Sequence, residues 1–324
     1  MSKPMVYICD LDHKDVKQEE SVFGQYGYDF EWLHCATQEE AVEKCQGAKV
    51  FLNQYLKMDR NIFEALPELK CIVRYGVGFD NVNLKDADEF GVQVCNIPDY
   101  GTGEVADQAV AHMMALTRKV TLANNLVKSG VWDYQHNIPV YRLKEMTIGV
   151  CGVGRIGSEF AKRVKEIGGR VIAYDVDYGN RKFPDFIEFV SFEELIKESD
   201  IISIHCPLSD DTYHMFSDRE FKNMKNTAFI INVSRGGIID EDALLRALEN
   251  NEIAGAGIDV VEKEPMTSDN PLLKFDNFLI TPHAAWYSEH AAEEMKRKAA
   301  EEAVRFLKNE PVKYPVNHPK IKGE

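Results

Sequence analysis

Thr147-Ile148-Gly149-Val150-Cys151-Gly152-Val153-Gly154-Arg155-Ile156-Gly157 decides the fold: an apolar strand runs straight into three glycines spaced Gly-x-Gly-x-x-Gly and then into a helix. Gly152 permits the tight turn, Gly154 lets a pyrophosphate approach the backbone, and Gly157 lets the helix from Ile156 to Ile167 lie close to the sheet. The first N–H groups of that helix face the phosphates, with Arg155 and Ile156 as further cofactor contacts in its opening turn. A second strand, Arg170 to Tyr174, ends in Asp175, 18 residues past the last glycine, where such a site needs a carboxylate for the ribose hydroxyls. Strand, glycines, helix, strand and acid in that order predict a dinucleotide-binding Rossmann unit rather than a glycine-rich structural turn. NAD is the expected cofactor. Asp175 would repel a 2′-phosphate, and Val176-Asp177-Tyr178 offers no lysine or arginine to receive one.

Working outward, 324 residues are enough for two domains, each able to bury its own core. A hydrophobic content of 44% with 28% charged residues belongs to an ordinary globular protein, so neither disorder nor a fibrous repeat needs considering. The formal net charge of −15 argues against nucleic-acid or anionic-membrane partners, which need clustered Lys and Arg. Met1 to Asp10 lack the regions of a secretion signal, and no run approaches a membrane helix, so the expected location is the cytoplasm. The seven cysteines contain no C-x-x-C pair and read as buried reduced thiols, with no metal site expected.

Before the glycine motif, Met5 to Cys9, Tyr28 to Leu33, Ala48 to Asn53, Cys71 to Arg74 and Val92 to Cys95 are short apolar runs separated by helix-like stretches such as Gln38 to Cys45 and Asp59 to Leu66. After Asp175 the alternation resumes, with strands expected at Ile187 to Val190, Asp200 to His205, Ala228 to Val233, Ile253 to Val260 and Phe278 to Thr281. The fold class is therefore α/β, with two doubly wound parallel-sheet domains. A long helix from Glu104 to about Lys128 bridges them, and a last helix, Trp286 to about Lys308, packs back on the first domain. The NAD-binding Rossmann domain, residues 100–287, is thus inserted into a flavodoxin-like substrate-binding domain made of residues 1–99 and 288–324.

A dinucleotide domain alone does not say what is oxidised. Arg235, in Asn232-Val233-Ser234-Arg235-Gly236-Gly237, follows a strand end and is suited to clamp a planar carboxylate by two parallel hydrogen bonds; its bland alternative is a surface arginine on a turn. Glu264 follows the next strand and His283 the one after, so the two stand at sheet ends facing the same way. A carboxylate within reach of His283 would favour the imidazolium and give a proton donor for a carbonyl receiving hydride. The residue types leave equally open a histidine that merely caps the following helix.

Together, Arg74-Tyr75-Gly76-Val77-Gly78-Phe79-Asp80-Asn81, the glycine motif, Asn232 to Gly237, Asp259-Val260-Val261-Glu262-Lys263-Glu264-Pro265 and Thr281-Pro282-His283 resemble the D-isomer-specific 2-hydroxyacid dehydrogenase family over nearly the whole chain. The resemblance implies an NAD-dependent enzyme interconverting a 2-oxo acid and a D-2-hydroxy acid. Arg235 would bind and polarise the oxo acid, His283 donate the proton, and Glu264 orient and charge the histidine. It also implies that the backbone around Val77 and Gly78 holds the substrate carboxylate, with Arg74 lining that pocket. Cys206, Pro207 and Thr212 would contact the adenosine half of the cofactor, and Val233, Arg235, Asp259 and His283 the nicotinamide half. A homodimer formed through the bridging helix and the Val131 to Leu143 segment is part of the same expectation.

His283-Ala284-Ala285-Trp286-Tyr287-Ser288-Glu289 and Val94-Cys95-Asn96-Ile97-Pro98 are similar to the C-terminal-binding-protein branch of that family. That branch implies a tryptophan, Trp286, facing the oxo acid, and it raises a second reading as an NADH-sensing regulatory binding protein of the corepressor type. Val105 departs from it, standing where the branch has a cofactor-contacting threonine. Family members acting on 3-phosphoglycerate carry arginines where this chain has Asn53 and Tyr134, which demotes that substrate, although Lys57 is nearby. Glu264 in place of a glutamine favours carbonyl reduction over hydride abstraction from formate. The remaining histidines, His112 among them, receive no role.

Overall fold

The computed structural model describes residues 5–180 and 182–319, and within them the strand–helix alternation resolves into two compact units. Residues up to Gly101 together with those from Ser288 make one unit, and Thr102–Tyr287 make the other. In the first unit the elements run β1 (Val6–Ile8), α1 (Lys17–Tyr26), β2 (Phe30–Trp32), α2 (Gln38–Lys44), β3 (Val50–Asn53), α3 (Arg60–Ala65), β4 (Cys71–Arg74), α4 (Leu84–Phe90) and β5 (Gln93–Cys95). Every strand pair is parallel, in the order β2-β1-β3-β4-β5, the flavodoxin-like order. β1, β3 and most of β4 are buried on both faces, as Val, Ile and Phe runs under helices require. Helix starts follow local chemistry: the side chains of Thr37, Asp59 and Asn83 cap α2, α3 and α4 by accepting an early N–H.

The second unit holds α5 (Thr102–Thr117), α6 (Val120–Lys128), β6 (Thr147–Cys151), α7 (Arg155–Ile167), β7 (Arg170–Tyr174), β8 (Glu188–Phe189), α8 (Phe192–Glu198), β9 (Ile201–Ile204), α9 (Asp218–Asn223), β10 (Phe229–Asn232), α10 (Glu241–Glu249), β11 (Gly255–Ile258) and β12 (Phe278–Ile280). Its seven strands lie in the order β12-β11-β10-β9-β6-β7-β8, which is the Rossmann order extended by one strand. The order reverses between β6 and β9, so the carboxyl ends of these two strands form the crevice in which such sheets bind ligands. Alternate residues feed two cores: Ile148, Val150 and Ile231 one, Cys151, Ile202 and Ile230 the other.

The expected bridging helix is two helices. α5 buries Val105, Ala109, Met113 and Leu116, and the Thr117 hydroxyl donates back to the Met113 carbonyl at 2.7 Å. Lys119 then adopts the left-handed region (φ 53°), which ends the helix, and α6 starts afresh with no buried residue. The stripe that anchors α5 on the sheet does not continue past the break.

α11 (Glu289–Leu307) returns to the first unit, capped by Ser288 rather than beginning at Trp286, and packs on α1. Lys296, almost fully buried, donates to the carboxylate and carbonyl of Asp15 at 3.1 Å. The Asn317 side chain accepts the Val94 N–H at 2.6 Å, tying the tail to β5. Among the described residues no helix is long and apolar enough to cross a membrane, and no group of three or more His, Cys, Asp or Glu is placed to hold a metal ion.

Candidate active site

Three glycines do three different jobs at the end of β6. Gly152 sits at φ 88°, and a Cβ there would lie 2.7 Å from the Cys206 nitrogen. A Cβ on Gly157 would lie 2.0 Å from the Gly152 carbonyl oxygen, so only glycine lets α7 pack this close to the turn. Nothing stands within 4 Å of where a Gly154 side chain would begin. This open space, at the N-terminus of a 13-residue helix with no side-chain cap, fits a bound pyrophosphate. Arg155 is exposed and Ile156 half-buried at the same end.

Asp175 has a second duty that sequence reasoning did not assign. Its Oδ2 accepts the Val153 N–H of the glycine turn at 2.6 Å, and its Oδ1 accepts the Asp177 N–H at 2.9 Å. The carboxylate that would meet the ribose therefore also braces the phosphate turn. On the β9 side, the half-buried Cys206 thiol shares a hydrogen bond with Cys151, which lowers the pKa of Cys206 and raises that of Cys151. Pro207 is exposed, and its carbonyl accepts the Thr212 hydroxyl at 2.7 Å, closing the loop. His205 turns away from this loop: its ring packs on Phe160, its Nε2 lies 2.9 Å from the Ser203 hydroxyl, and burial pushes its pKa down to about 3.

At β10 the turn that presents Arg235 is built by Asn232, which is buried; its amide donates to the Arg235 carbonyl at 2.8 Å and its Oδ1 accepts the Ser234 N–H. A Cβ on Gly236 would lie 1.9 Å from the Val261 carbonyl carbon, so the Arg235 turn lies directly against the loop that carries Glu264. Val233 is buried beneath it.

Glu264 and His283, 19 positions apart, meet with Oε2 2.7 Å from Nδ1. Glu264 Oε1 accepts the Val261 N–H at 3.2 Å, so each carboxylate oxygen has its own donor. Burial works to raise the Glu264 pKa, but the hydrogen bond and charge of His283, helped by Val261 and Arg235, hold it below the ordinary carboxylate range. With Nδ1 tied to Glu264, Nε2 is the nitrogen that can pass a proton outward. The pair can serve as a general acid next to a fixed guanidinium.

His283 has a left-handed backbone (φ 52°), which costs a non-glycine residue on the order of 1 kcal/mol and must be held by its surroundings. Asp259, almost fully buried, supplies that hold: its carbonyl accepts the His283 N–H at 2.8 Å, and its carboxylate accepts the N–H groups of Ala284 at 3.0 Å and Ala285 at 2.8 Å. Trp286 packs against the second unit's core and edge-on to Tyr287, with ring centres 5.5 Å apart.

The residues expected to hold the substrate carboxylate lie in the first unit. Arg74 closes β4 and folds over Gly76, where a Cβ would lie 1.9 Å from its Nη1. Val77 is exposed, its carbonyl accepting the Asn96 amide at 2.6 Å, and Gly78 is half-buried beside it. Asn53 is buried and its amide donates to Asp10 and Leu56, so it builds the loop after β3. Asp10 gathers three N–H groups of that loop, from Gln54, Tyr55 and Leu56, at 2.5–2.8 Å. No sequence motif announces this anchor. Tyr134 is largely exposed in the second unit, and Val105 is buried in that unit's core.

A Rossmann sheet with an open glycine turn, an acid at the end of the second strand and a histidine–carboxylate pair beside an arginine fits a dinucleotide-dependent oxidoreductase. Residues 110–285 match the model for the D-isomer specific 2-hydroxyacid dehydrogenase, NAD binding domain. The chain is 38% identical over 279 residues to a glyoxylate reductase of Korarchaeum cryptofilum, covering 84% of this chain and 82% of the relative. It is 34% identical over 320 residues to a glycerate dehydrogenase of Methylorubrum extorquens, covering 96% and 98%. Among solved structures, D-lactate dehydrogenase from Aquifex aeolicus complexed with NAD and lactic acid superposes with a TM-score of 0.89 at 27% identity, covering 97% of this chain and all of that one. This chain belongs to the D-isomer-specific 2-hydroxyacid dehydrogenase family, as an NAD-dependent enzyme interconverting 2-oxo and 2-hydroxy acids.

Proposed function

We propose that the enzyme reduces a small 2-oxo acid to the D-2-hydroxy acid, with Arg235 binding and polarising the oxo acid and His283 donating the proton. The observation that carries this reading is the 2.7 Å contact of Glu264 with His283, in a loop packed against the turn that presents Arg235. When bound, NADH supplies the hydride. Gly152, Gly154, Arg155, Ile156 and Gly157 would hold its pyrophosphate, Asp175 its ribose, Cys206, Pro207 and Thr212 its adenosine side, and Val233, Arg235, Asp259 and His283 its nicotinamide side. The chain's own contribution is then electrostatic and positional. Arg235 offers a planar fork to a carboxylate and carbonyl, His283 keeps a proton at Nε2, and Glu264 stays ionised to stabilise the imidazolium. Arg74 and the backbone of Val77 and Gly78 are assigned to the substrate carboxylate.

The names of the relatives, glyoxylate reductase and glycerate dehydrogenase, favour a short substrate. Trp286, which the likeness to the C-terminal-binding-protein branch would turn toward the oxo acid, favours an apolar tail, although its packing on the unit's core also supports a scaffold role. A panel of 2-oxo acids assayed with NADH decides between them. If Trp286 forms a substrate wall, Trp286→Ala loses ~1–3 kcal/mol of kcat/KM for long apolar oxo acids and little for glyoxylate. Equal losses across the panel would leave it as scaffold.

Two further assignments belong to this proposal. A homodimer is supported by the apolar side chains that α6 and the following segment expose, Val120, Val127, Trp132 and Ile138 among them, with Trp132 at 87% exposure. A monomeric mass in solution would remove it. A reducing compartment such as the cytoplasm is supported by seven cysteines that are all free, three of them at strand ends where the sheet brings thiols together.

A further inference from the structure

His112 lies in the middle of α5, far from His283 in sequence, and carries no assigned role. It is buried, and burial lowers its pKa, with the charge of Asp259 opposing. Its Nε2 stands 3.1 Å from the Thr281 hydroxyl, which also receives the Gln108 amide at 3.2 Å. The Thr281 hydroxyl in turn donates to Asp259 Oδ1 at 2.5 Å. The same carboxylate holds the N–H groups of Ala284 and Ala285, and the Thr281 and Asp259 carbonyls both accept the His283 N–H. A Cβ on Gly257 would lie 2.9 Å from His112 Nδ1, so a glycine of β11 makes room for the ring.

We propose that His112 is a positioning residue for the reaction, acting through Thr281 and Asp259 to fix the left-handed backbone on which His283 meets Glu264. The inference deepens the proposed function and rests on its assignment of His283 as proton donor. The physical argument is directional. A buried carboxylate needs a donor for each lone pair it turns inward, and the Thr281 hydroxyl can give Asp259 its only proton because donors from α5 occupy its other side. Removing the His112 ring leaves the Gln108 amide as the remaining partner from α5 and gives the hydroxyl more freedom to rotate. Asp259 then loses its most closely held partner, and the strained His283 turn loses part of what holds it.

The test uses His112→Leu, His112→Gln, Thr281→Val, the double variant His112→Leu/Thr281→Val and His283→Ala in the intact protein. His112→Leu and Thr281→Val should each lower kcat for 2-oxo acid reduction about tenfold while NADH affinity stays within about twofold. His112→Gln, whose amide can still donate to Thr281, should recover most of the loss. The double variant should be no worse than the worse single one, because both cut the same chain. Multiplying losses, or a glutamine variant as slow as the leucine one, would overturn the proposal. A second readout needs no turnover: the downfield proton resonance of the His283–Glu264 hydrogen bond, assigned by its disappearance in His283→Ala. In His112→Leu it should exchange with water markedly faster, and an unaltered resonance would refute the inference. If His283→Ala keeps full turnover, the reading of His283 as proton donor fails, whereas normal kinetics and resonance in His112→Leu alone sink only the role of His112.

Discussion

Replacing Glu264 by Gln tests the acid–base pair with the least change of shape. The two carboxylate oxygens serve different donors, Oε1 the Val261 N–H and Oε2 the His283 Nδ1. An amide has one acceptor oxygen and one donor NH2 group, so it can satisfy the loop together with a neutral Nδ1 but not together with the Nδ1–H of the imidazolium. A hydrogen bond to a charged group is worth about 1.5–3 kcal/mol. Both side chains are about one-third exposed, at 35% and 36%, so solvent screening reduces this to about 1–2 kcal/mol. If that energy stabilises the imidazolium in the reacting complex, kcat falls by about 5- to 30-fold. Stopped-flow or steady-state oxidation of NADH, with NADH affinity measured separately, reads the effect directly. The sign of the pH dependence also follows. Glu264 has a folded pKa below its ordinary 4.5, so its contribution is present above pH 4.5 and is lost as pH falls through the lowered value. Wild type and variant should therefore differ across neutral pH and converge only in acid. A Glu264→Gln enzyme with unchanged kcat, or one whose whole defect is in NADH affinity, would refute the reasoning.

Two other outcomes are expected. Asp175→Ser removes the charge that would repel a 2′-phosphate together with the acceptor for the Val153 N–H, so kcat/KM for NADPH relative to NADH should rise while thermal stability falls; an unchanged cofactor ratio would count against Asp175 as the selector. His205 has its pKa pushed from 6.5 to about 3 by burial, so the unfolded chain binds a proton that the folded one refuses, and stability should drain away as pH falls below 6.5 toward 3. In denaturant titrations His205→Gln should show a shallower acid slope than wild type, and parallel slopes would remove His205 as the cause.

The architecture was legible because parallel α/β sheets write themselves as short Val- and Ile-rich runs divided by helices, and because the glycine motif needs its strand and helix on either side. Asp175 was legible by spacing alone, and so were Arg235, Glu264 and His283 as residues at strand ends, although their mutual distances were not. What escaped is long-range or locally inconsistent. In the sequence a single apolar stripe runs through residues 105–120, and nothing local says that Lys119 will turn left-handed once α5 has used its buried face. α1 carries a buried Glu19 whose Oε1 accepts the Tyr75 hydroxyl at 2.8 Å, a polar residue in a core position that spoils its helical pattern. The Asp10 anchor and the His112–Thr281–Asp259 chain join residues far apart in sequence, with no spacing rule to find them.

The discontinuous first unit sets an order on biosynthesis. Domains usually fold from the N-terminus as they leave the ribosome. Here the first strands to emerge, β1 to β5, wait for α11 to cover α1 and for Asn317 to reach β5. The Rossmann unit, encoded in one uninterrupted stretch, is complete before either arrives. The chain order therefore lets the Rossmann unit be completed while the sheet of the first unit still lacks its last helix.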